Sequence, residues 1–586
     1  MRAVIHSRIM AKKQEVASAE RLAAEGGFAS DESAVVEPEI DWIESSEEIP
    51  EIEPDDDVEW EGEYCEAGCP IEMGRWSGWK CGRMLHAAPA GADEQPVCLM
   101  HSKDPNKQSG PLFDAFWLEF ERILEGAGDN EARFEGFIFS RTNLIGREFK
   151  AICRFDDATF TQKASFFGAT FKQKAVFWGA TFTQNANFSN ATFMQDAIFD
   201  GATFMQDAGF LLAAFRQDAY FGHATFTQDA SFLNANFTQR VGFTDATFTR
   251  KADFTLATFT QDAYFRSATF KQGSNFSPAT FTQKADFEQT KFYGTANWAS
   301  NKFHDQAEFR HTVFEPRNPG TPSAVFSLTK FAKPGEVVFD DVDLSRTLFH
   351  NCDISQVLFT PSVHWARRPP KRGLAVFEET IPLDHEDAKG LFRGGQRDYR
   401  AIAQIYQQLK KSYDSRLDYW TANEFHFGEM EMKRLAGPTK GWFLRLRQWW
   451  HRNLSFVAWY KYASDYGNSY RKPVLWLLGT LLAAALLFPL PGVGLRPPIS
   501  GDAASAASVT YIRVWNRQDS WTNNFWTEAK LIGKSGITAI DMATFQKTPE
   551  YTPVYPWGRV LAIVETLLTS SLFALFLLAI RRQFRR

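Results

Sequence analysis

The sequence has little cysteine, no apolar leader and, in its first tenth, a region without basic residues. Six cysteines in 586 residues are too few for a disulfide scaffold. The opening MRAVIHSRIMAKKQ contains no apolar run of signal-peptide length. Residues 31–66 contain seventeen Asp or Glu and no Lys or Arg. Because such a segment repels itself and buries little apolar surface, we predict that residues 1–62 form a disordered acidic tail.

The sequence also lacks the residue constellations by which enzymes are recognised. It has no phosphate-binding glycine loop, no HExxH motif and no nucleophile beside a base. Glu424, His426 and Glu429 lie close together in the sequence, but helix surfaces often carry such residues for solubility. We therefore expect no enzymatic activity.

Phenylalanine, in contrast, is abundant and regularly spaced. Of 55 Phe residues, 38 fall within residues 137–359. One series places Phe at every eleventh position from Phe160 to Phe314, and a second runs from Phe166 to Phe309, interrupted only by Trp298. The repeating unit is A-T-F-T-Q-x-A-x-F-x-x.

An eleven-residue period is compatible with a right-handed coiled coil, so this alternative is considered first. On a helix the two Ala and two Phe of one unit would scatter around the axis and form no stripe. Recurrent Thr, Asn and Gly are also poor helix formers. Within A-x-F, however, Ala and Phe have the two-residue alternation of a short strand. The pattern therefore predicts many short strands wound into a β-solenoid.

These units resemble the pentapeptide-repeat family, whose A-[DN]-[LF]-x-x repeats form a right-handed quadrilateral β-helix. The resemblance implies a mainly β fold over residues 137–360, with Phe pointing inward and Ala at the corners. The segment from Phe339 to Phe359 keeps the family's step of five. Upstream, every second unit has one extra residue, which predicts about 22 residues per coil and about ten coils.

Members of this family that protect topoisomerases imitate DNA with an acidic face. Residues 154–314 contain fourteen basic and fourteen acidic residues, so a DNA mimic is disfavoured and we expect no nucleic-acid partner. A passive spacer or a protein-docking rod fits this balanced surface better.

Four potential metal ligands precede the repeats. Cys69, Cys81, Cys98 and His101 form C-x11-C-x16-C-x2-H, and three thiolates with one imidazole suit structural Zn²⁺. The segment resembles small modules ending in C-x-x-H that precede repeat domains in bacterial proteins. Cys65 is an alternative to Cys69, and His86 is a weaker candidate ligand. Buried or idle thiols are the competing interpretation.

We assign residues 63–110 to this module and residues 111–136 to a helical linker.

A linker (361–392) and a helical module (393–436) are predicted after the repeats. Ile402, Ile405 and Leu409 recur at helical spacing. Residues 437–470 combine Trp with Arg and Lys, as expected of a helix at a membrane surface, although a buried aromatic helix has a similar composition. Residues 393–436 resemble a helical module that commonly joins pentapeptide repeats to membrane segments in bacterial proteins.

Two apolar runs near the C-terminus, residues 473–490 and 560–580, predict two membrane spans within residues 471–586. Arg471 and Lys472 precede the first run, and Arg581 and Arg582 follow the second. The positive-inside rule therefore predicts that both termini are cytoplasmic. The expected location is a bacterial inner membrane, with an extracytoplasmic loop over residues 491–556.

The predicted arrangement of spans is distantly similar to two-span ion channels, but no TVGYG-like filter is present. Glu565 is the single ionisable residue inside a predicted span and is a functional candidate for that reason. The sequence favours a membrane-anchored scaffold that binds the lipid bilayer and an unknown protein. A degenerate channel-like or sensor protein, oligomeric through its transmembrane helices, is the alternative.

Overall fold

The structure is a computed structural model. It describes residues 83, 86–89, 92–93, 97–315, 318, 320–368, 373–382, 392–393, 396–437, 444–490, 495–496, 521–544, 552–553 and 556–583. The predicted acidic tail lies outside the described residues, as do Cys65, Cys69 and Cys81.

Residues 131–359 form a parallel β-solenoid with four faces, each of which is one sheet. Sheet 1 has eleven strands: Glu131–Arg133, Ile152–Arg154, Ala175–Val176, Ala197–Ile198, Ala219–Tyr220, Val241–Gly242, Ala263–Tyr264, Ala285–Asp286, Ala307–Arg310, Val337–Asp340 and Leu358–Phe359. Sheet 2 has nine: Ile138–Phe139, Thr159–Phe160, Thr181–Phe182, Thr203–Phe204, Thr225–Phe226, Thr247–Phe248, Thr269–Phe270, Lys291–Phe292 and Val313–Phe314. Sheet 3 has ten: Thr142–Asn143, Ala164–Ser165, Ala186–Asn187, Ala208–Gly209, Ala230–Ser231, Ala252–Asp253, Ser274–Asn275, Ala296–Asn297, Ala324–Val325 and Thr347–Leu348. Sheet 4 has nine: Glu148–Phe149, Thr170–Phe171, Thr192–Phe193, Ala214–Phe215, Asn236–Phe237, Thr258–Phe259, Thr280–Phe281, Lys302–Phe303 and Lys330–Phe331.

The described residues also contain eight α-helices, numbered here in chain order: α1 (Pro111–Ala127), α2 (Tyr399–Asp414), α3 (Tyr419–Leu435), α4 (Leu444–Leu454), α5 (Phe456–Ser464), α6 (Arg471–Leu487), α7 (Trp521–Ala543) and α8 (Pro556–Gln583). Three short 3₁₀ helices lie at Pro105–Gln108, Pro334–Glu336 and Phe377–Glu379. Three antiparallel strand pairs join Ala366–Arg367 to Leu374–Ala375, Phe392–Arg393 to Gln396–Arg397, and Leu495–Arg496 to Thr552–Pro553.

Strand register confirms the length of the coil. Thr159 pairs with Thr181, and Thr181 pairs with Thr203, so one coil takes 22 residues. Where the sequence returns to steps of five, Val338 pairs with Leu358 and the coil takes 20 residues. About ten such coils, at a strand spacing of about 4.8 Å, make a solenoid roughly 50 Å long. Its right-handed winding stays a prediction.

The interior consists of four columns of stacked aromatic rings, one behind each sheet. Phe160 stacks on Phe182 at a centroid distance of 4.6 Å, with 4° between the ring planes. Rings of neighbouring columns meet edge to face, as Phe166 and Phe177 do at 5.6 Å and 84°. Trp298 continues its column by stacking on Phe326 at 4.9 Å. Each buried ring contributes on the order of 1.5–3 kcal/mol, so the columns stabilise the solenoid without disulfides.

One corner of each half-coil needs an unusual backbone conformation. At these corners, one residue in every eleven has a positive φ, among them Gly168 (65°), Asn190 (57°) and Leu212 (57°). Gly and Asn accept this left-handed region readily, whereas Leu does not. The repeat therefore tolerates local strain at a few corners because the rest of the coil fixes their conformation.

Both ends of the solenoid are covered by helices. At the start, Phe120 of α1 stacks on Phe134 of the first coil at 4.6 Å. At the end, Tyr413 of α2 stacks on Phe359 at 6.2 Å, and the Arg416 guanidinium donates to the Phe359 carbonyl at 2.9 Å. These contacts cover the aromatic rings at the first coil and at the last strand of sheet 1.

The C-terminal helices correct part of the sequence-based prediction. Among the described residues, one helix is long and apolar enough to cross a membrane, at Pro556–Arg582. The other predicted span, residues 473–490, is not confirmed: α6 ends at Leu487 after 17 residues, about 26 Å. Within residues 491–556, expected to be a loop, the structure contains the 23-residue helix α7.

Leu212→Asn is expected to raise the free energy of unfolding by about 1 kcal/mol, because Asn accepts the left-handed region that strains Leu. Asn190 and Asn234 already occupy this corner in the coils on either side. Thermal melting of the full chain in detergent, followed by circular dichroism, measures the change. The control is Leu211→Asn, since Leu211 is not among the residues with positive φ. Equal effects of the two substitutions would contradict the strain argument.

Candidate functional sites

The structure brings two of the four predicted zinc ligands together. Cys98 Sγ lies 3.2 Å from His101 Nδ1. His101 Nε2 lies 3.1 Å from the Glu135 carbonyl oxygen, which can only accept a hydrogen bond. The proton of the imidazole is thereby fixed on Nε2, and the lone pair of Nδ1 points towards the cysteine sulfur. A ligand imidazole oriented by a backbone carbonyl is the usual arrangement around a protein-bound metal.

The spacing of the two atoms also fits a shared metal. Tetrahedral Zn²⁺ holds a sulfur and an imidazole nitrogen about 3.5 Å apart, close to the 3.2 Å observed. Cys69 and Cys81 lie outside the described residues, as does the alternative Cys65. Within the described part of the chain, no group of three or more His, Cys, Asp or Glu is placed to hold a metal ion.

His86, the weaker candidate ligand, is engaged elsewhere. Its Nε2 lies 2.8 Å from the Asp104 carboxylate. That hydrogen bond lowers the pKa of Asp104, although burial of the carboxyl opposes the change. Of the two histidines in this segment, His101 is therefore the one in ligand geometry.

The Cys98–His101 pair rests directly on the first coil of the solenoid. The Ile138 amide donates to the Met100 carbonyl at 2.8 Å. The Lys107 ammonium donates to Ser102 and Ile138 carbonyls, both at 2.9 Å, and lies 4.6 Å from the centre of the Phe116 ring. Burial lowers the pKa of Lys107 to about 7, opposed by charge on nearby Cys98. The sequence did not predict the burial of Lys107, because no feature of the adjacent sequence distinguishes it from a surface lysine.

A second cluster joins the helical module to the C-terminal helices. Glu431 of α3 accepts hydrogen bonds from Lys461 of α5 and from the Tyr466 hydroxyl, both at 2.9 Å. It also forms an ion pair with Nη2 of Arg434. Nη1 of Arg434 donates to the Arg452 carbonyl of α4 at 2.7 Å. Although burial opposes it, hydrogen bonds from Arg434 and Lys461 lower the pKa of Glu431 to about 2. The carboxylate therefore stays charged, and its contribution to stability is fully present above the pKa of the unfolded state. This contribution is lost only as the pH falls towards 2.

The same cluster reaches the end of α8. Arg582 donates to the Tyr466 carbonyl at 2.6 Å. Tyr466 directly precedes Gly467, which has a φ of 82°. A side chain would be crowded at this position, because an added Cβ would lie 2.9 Å from the Tyr460 hydroxyl oxygen. The beginning of α6 and the end of α8 are thus held beside the helical module.

Of Glu424, His426 and Glu429, which lie close together in the sequence, Glu429 forms ion pairs with two lysines. Glu429 is buried and accepts from Lys410 at 3.1 Å and from Lys433 at 2.6 Å. Its carboxylate lies 3.5 Å from His426 Nδ1. Burial lowers the pKa of His426, partly offset by Glu429. These contacts connect α2 and α3 and hold the carboxylate of Glu429 between cations.

Charges on the solenoid surface are paired along the axis. Arg240 bonds Asp218 of the preceding coil at 2.7 Å. Lys284 bridges Asp286 and Glu308 at 3.4 and 3.0 Å. Because basic residues such as Arg240 and Lys284 interrupt the acidic ones along the axis, no long acidic stripe develops over these coils.

The C-terminal helices expose many large apolar side chains. The exposed fractions of Leu482 on α6 and of Ile563 and Leu567 on α8 are 60%, 61% and 64%. Soluble monomers rarely expose contiguous apolar surface of this extent. In contrast, Glu565 on α8 is only 4% exposed.

A family model for pentapeptide repeats, described as nine copies, matches residues 148–192, 166–211, 199–247 and 243–290. This match confirms the predicted repeat family for the segment that the four-faced solenoid contains. No curated protein and no solved structure matches the chain.

Proposed function

We propose that the protein is a membrane-anchored scaffold in which the pentapeptide-repeat solenoid presents a protein-docking surface beside a bilayer. The observation that carries the proposal is the continuous path of contacts from the last coil to the end of α8. It runs from Phe359 to Tyr413, through α3 to Glu431, and from Tyr466 to Arg582. A tether of this kind fixes the orientation of the rod, which a flexible linker does not.

Exposed apolar side chains on α6 and α8 support insertion into lipid as a helical pair. Since α6 begins where α8 ends, the two helices run antiparallel. Their basic ends lie together beside the helical module and contain Lys472 and Arg582. By the positive-inside rule this end faces the cytoplasm, as do the solenoid and the C-terminus. Trp449 and Trp450 of α4, both exposed, suit the headgroup region. A bacterial inner membrane suits this arrangement.

The solenoid suits docking rather than catalysis. Its interior is filled with stacked rings, and both of its ends are covered, so its four faces are the surface available to a partner. Paired charges on those faces weigh against DNA mimicry, which needs an acidic surface. We therefore expect a protein partner and no enzymatic activity.

Deleting residues 556–586 is expected to move the protein from the carbonate-resistant membrane fraction to the soluble or peripheral fraction. The reason is that α8 supplies the longer span, whereas the 17 residues of α6 are at the lower limit of the length that crosses a bilayer. Immunoblots of fractionated cells measure the shift. Deleting residues 1–62 is the control and should leave the partition unchanged. Extraction of the intact chain by carbonate would contradict the anchor.

Coil deletions test the docking role. Removing residues 181–202 deletes one whole coil and lets Thr159 pair with Thr203, so the register survives. A docking rod should lose its co-purifying protein when one particular coil is removed and keep it when others are. Affinity capture of the full chain from detergent-solubilised membranes, across a series of 22-residue deletions, measures this. Equal capture by every deletion variant would refute a docking surface on the coils.

We further propose that Cys69, Cys81, Cys98 and His101 bind one structural Zn²⁺ that fixes the N-terminal module on the first coil. The geometry of Cys98 and His101 supports this ligand set. Bound zinc would hold the loop ends together and leave no open position for catalysis. Three thiolates and one imidazole around Zn²⁺ carry one net negative charge, and the Lys107 ammonium nearby suits that charge.

The full chain is expected to purify with one zinc per molecule, as measured by inductively coupled plasma mass spectrometry. Cys98→Ser and Cys81→Ala should lose the metal, because each removes one of four ligands. Cys153→Ser is the matched control, since Cys153 is buried inside the solenoid and should not affect zinc content. Zinc retained in Cys81→Ala, or absent from the intact chain, would overturn the site.

A further inference from the structure

Helices α6, α7 and α8 meet in a small bundle. Ala484 and Phe488, at the end of α6, form one buried cluster with Ala539 of α7 and Ala562 of α8. The Thr566 hydroxyl lies 3.5 Å from the Met542 carbonyl, which places the C-terminal end of α7 against the middle of α8. Glu565 lies one turn beyond Ala562, on the same face of α8.

Glu565 is the anomaly of this bundle. It is 4% exposed, and neither of its carboxyl oxygens has a hydrogen-bond partner among the described residues. It lies nine residues into α8, about 14 Å along the helix axis. A carboxyl group this deep in an apolar segment is costly, and such residues mark ion or proton sites.

Most hydroxyls of α7 and α8 offer acceptors rather than donors; the Ser570 hydroxyl, which has no hydrogen-bond partner among the described residues, is an exception. Four hydroxyls on α7 and α8 donate to carbonyls of their own helices: Ser535 to Leu531 at 2.9 Å, Thr538 to Lys534 at 3.1 Å, Thr566 to Ala562 at 2.8 Å and Thr569 to Glu565 at 2.9 Å. Because the hydrogen of each of these hydroxyls is already used in a hydrogen bond, only the oxygen lone pairs are available to a ligand. The last carbonyls of α7 add further acceptors, at the negative end of the helix dipole.

Among the described residues of α6, α7 and α8, the buried charged residues are Glu565 and Asp541, and both are acidic. Asp541 of α7 is 8% exposed and directly precedes Met542. On α8 no other charged residue occurs between Arg559 and Arg581, and α6 has none after Lys472. Lys530 and Lys534 of α7 are exposed.

We propose that Glu565 is the centre of a cation-binding site inside this bundle, and that its ligand is a small dehydrated cation, Na⁺ or H⁺. Carboxylate, hydroxyl and carbonyl oxygens are the ligands that hard cations prefer. The site rests on the proposed insertion of α6 and α8 into a bilayer and goes beyond it. The bundle thereby becomes a ligand-binding element rather than a simple tether.

Modification by a hydrophobic carbodiimide tests the site in the full chain reconstituted in liposomes. The reagent adds to a protonated carboxyl group from the apolar phase, and mass spectrometry of the peptide containing Glu565 measures the rate. If the ligand is Na⁺, about 100 mM NaCl should slow modification on the order of tenfold relative to choline chloride at the same pH, by mass action. If it is H⁺, both salts should give equal rates that fall as the pH rises.

Any carboxyl group reacts at acidic pH, so equal rates in both salts together with no modification near neutral pH, where an exposed carboxyl group is ionised, would overturn the proposal. Glu565→Gln should lose the label and remain in the carbonate-resistant fraction, so failure of the cation site is distinguishable from failure of the anchor. Asp541→Asn should keep the label but weaken protection by the cation. If protection is unchanged in Asp541→Asn, Asp541 is not a ligand and Glu565 holds the cation without it.

Discussion

Ring stacking between successive coils is the interaction on which the solenoid depends. Parallel strands repeat at about 4.8 Å, and stacked rings settle at nearly the same distance, as the 4.6 Å between Phe160 and Phe182 illustrates. Backbone pairing and side-chain packing therefore satisfy one spacing simultaneously. Since each coil contacts only its neighbours, a long regular rod can grow from a repeated sequence without a large central core. The same regularity means that the coils differ from one another mainly on their outer surface.

A rod of identical layers needs specific ends, and this chain supplies them from non-repeating sequence. Phe120 closes the first coil, and Tyr413 with Arg416 closes the last one. The terminal caps are also the points of attachment: the Cys98–His101 pair rests on the first coil, and α3 leads to the C-terminal helices. The parts of the chain that carry candidate chemistry therefore lie at the two ends of the solenoid, and the coils set the distance between them.

The eleven-residue spacing of Phe predicted the solenoid, because repetition makes one local rule apply many times. The resemblance to pentapeptide repeats added the 22-residue coil and the inward position of the rings. Structural features that occur only once in the chain were not predicted. Helix α7 lies in a stretch with mixed polar and apolar residues, where no repeat reinforces a weak helical pattern. Lys107 and Glu431 are buried by contacts with residues distant in sequence, such as Ile138 and Lys461. The proximity of Cys98 and His101 could be predicted because the two residues are only three positions apart.

The solenoid and the bundle of α6, α7 and α8 treat a buried carboxyl group in opposite ways. In the solenoid, buried charge is matched: Asp286 is fully buried and yet pairs with both Arg266 and Lys284. In the bundle of α6, α7 and α8, the Glu565 carboxyl is buried to a similar degree with no described partner. A buried polar group without a partner lowers stability, and the same chain demonstrates at Asp286 how such a group can be neutralised. The contrast indicates that the solenoid is built for stability, and that the bundle retains a polar group whose purpose is something other than stability.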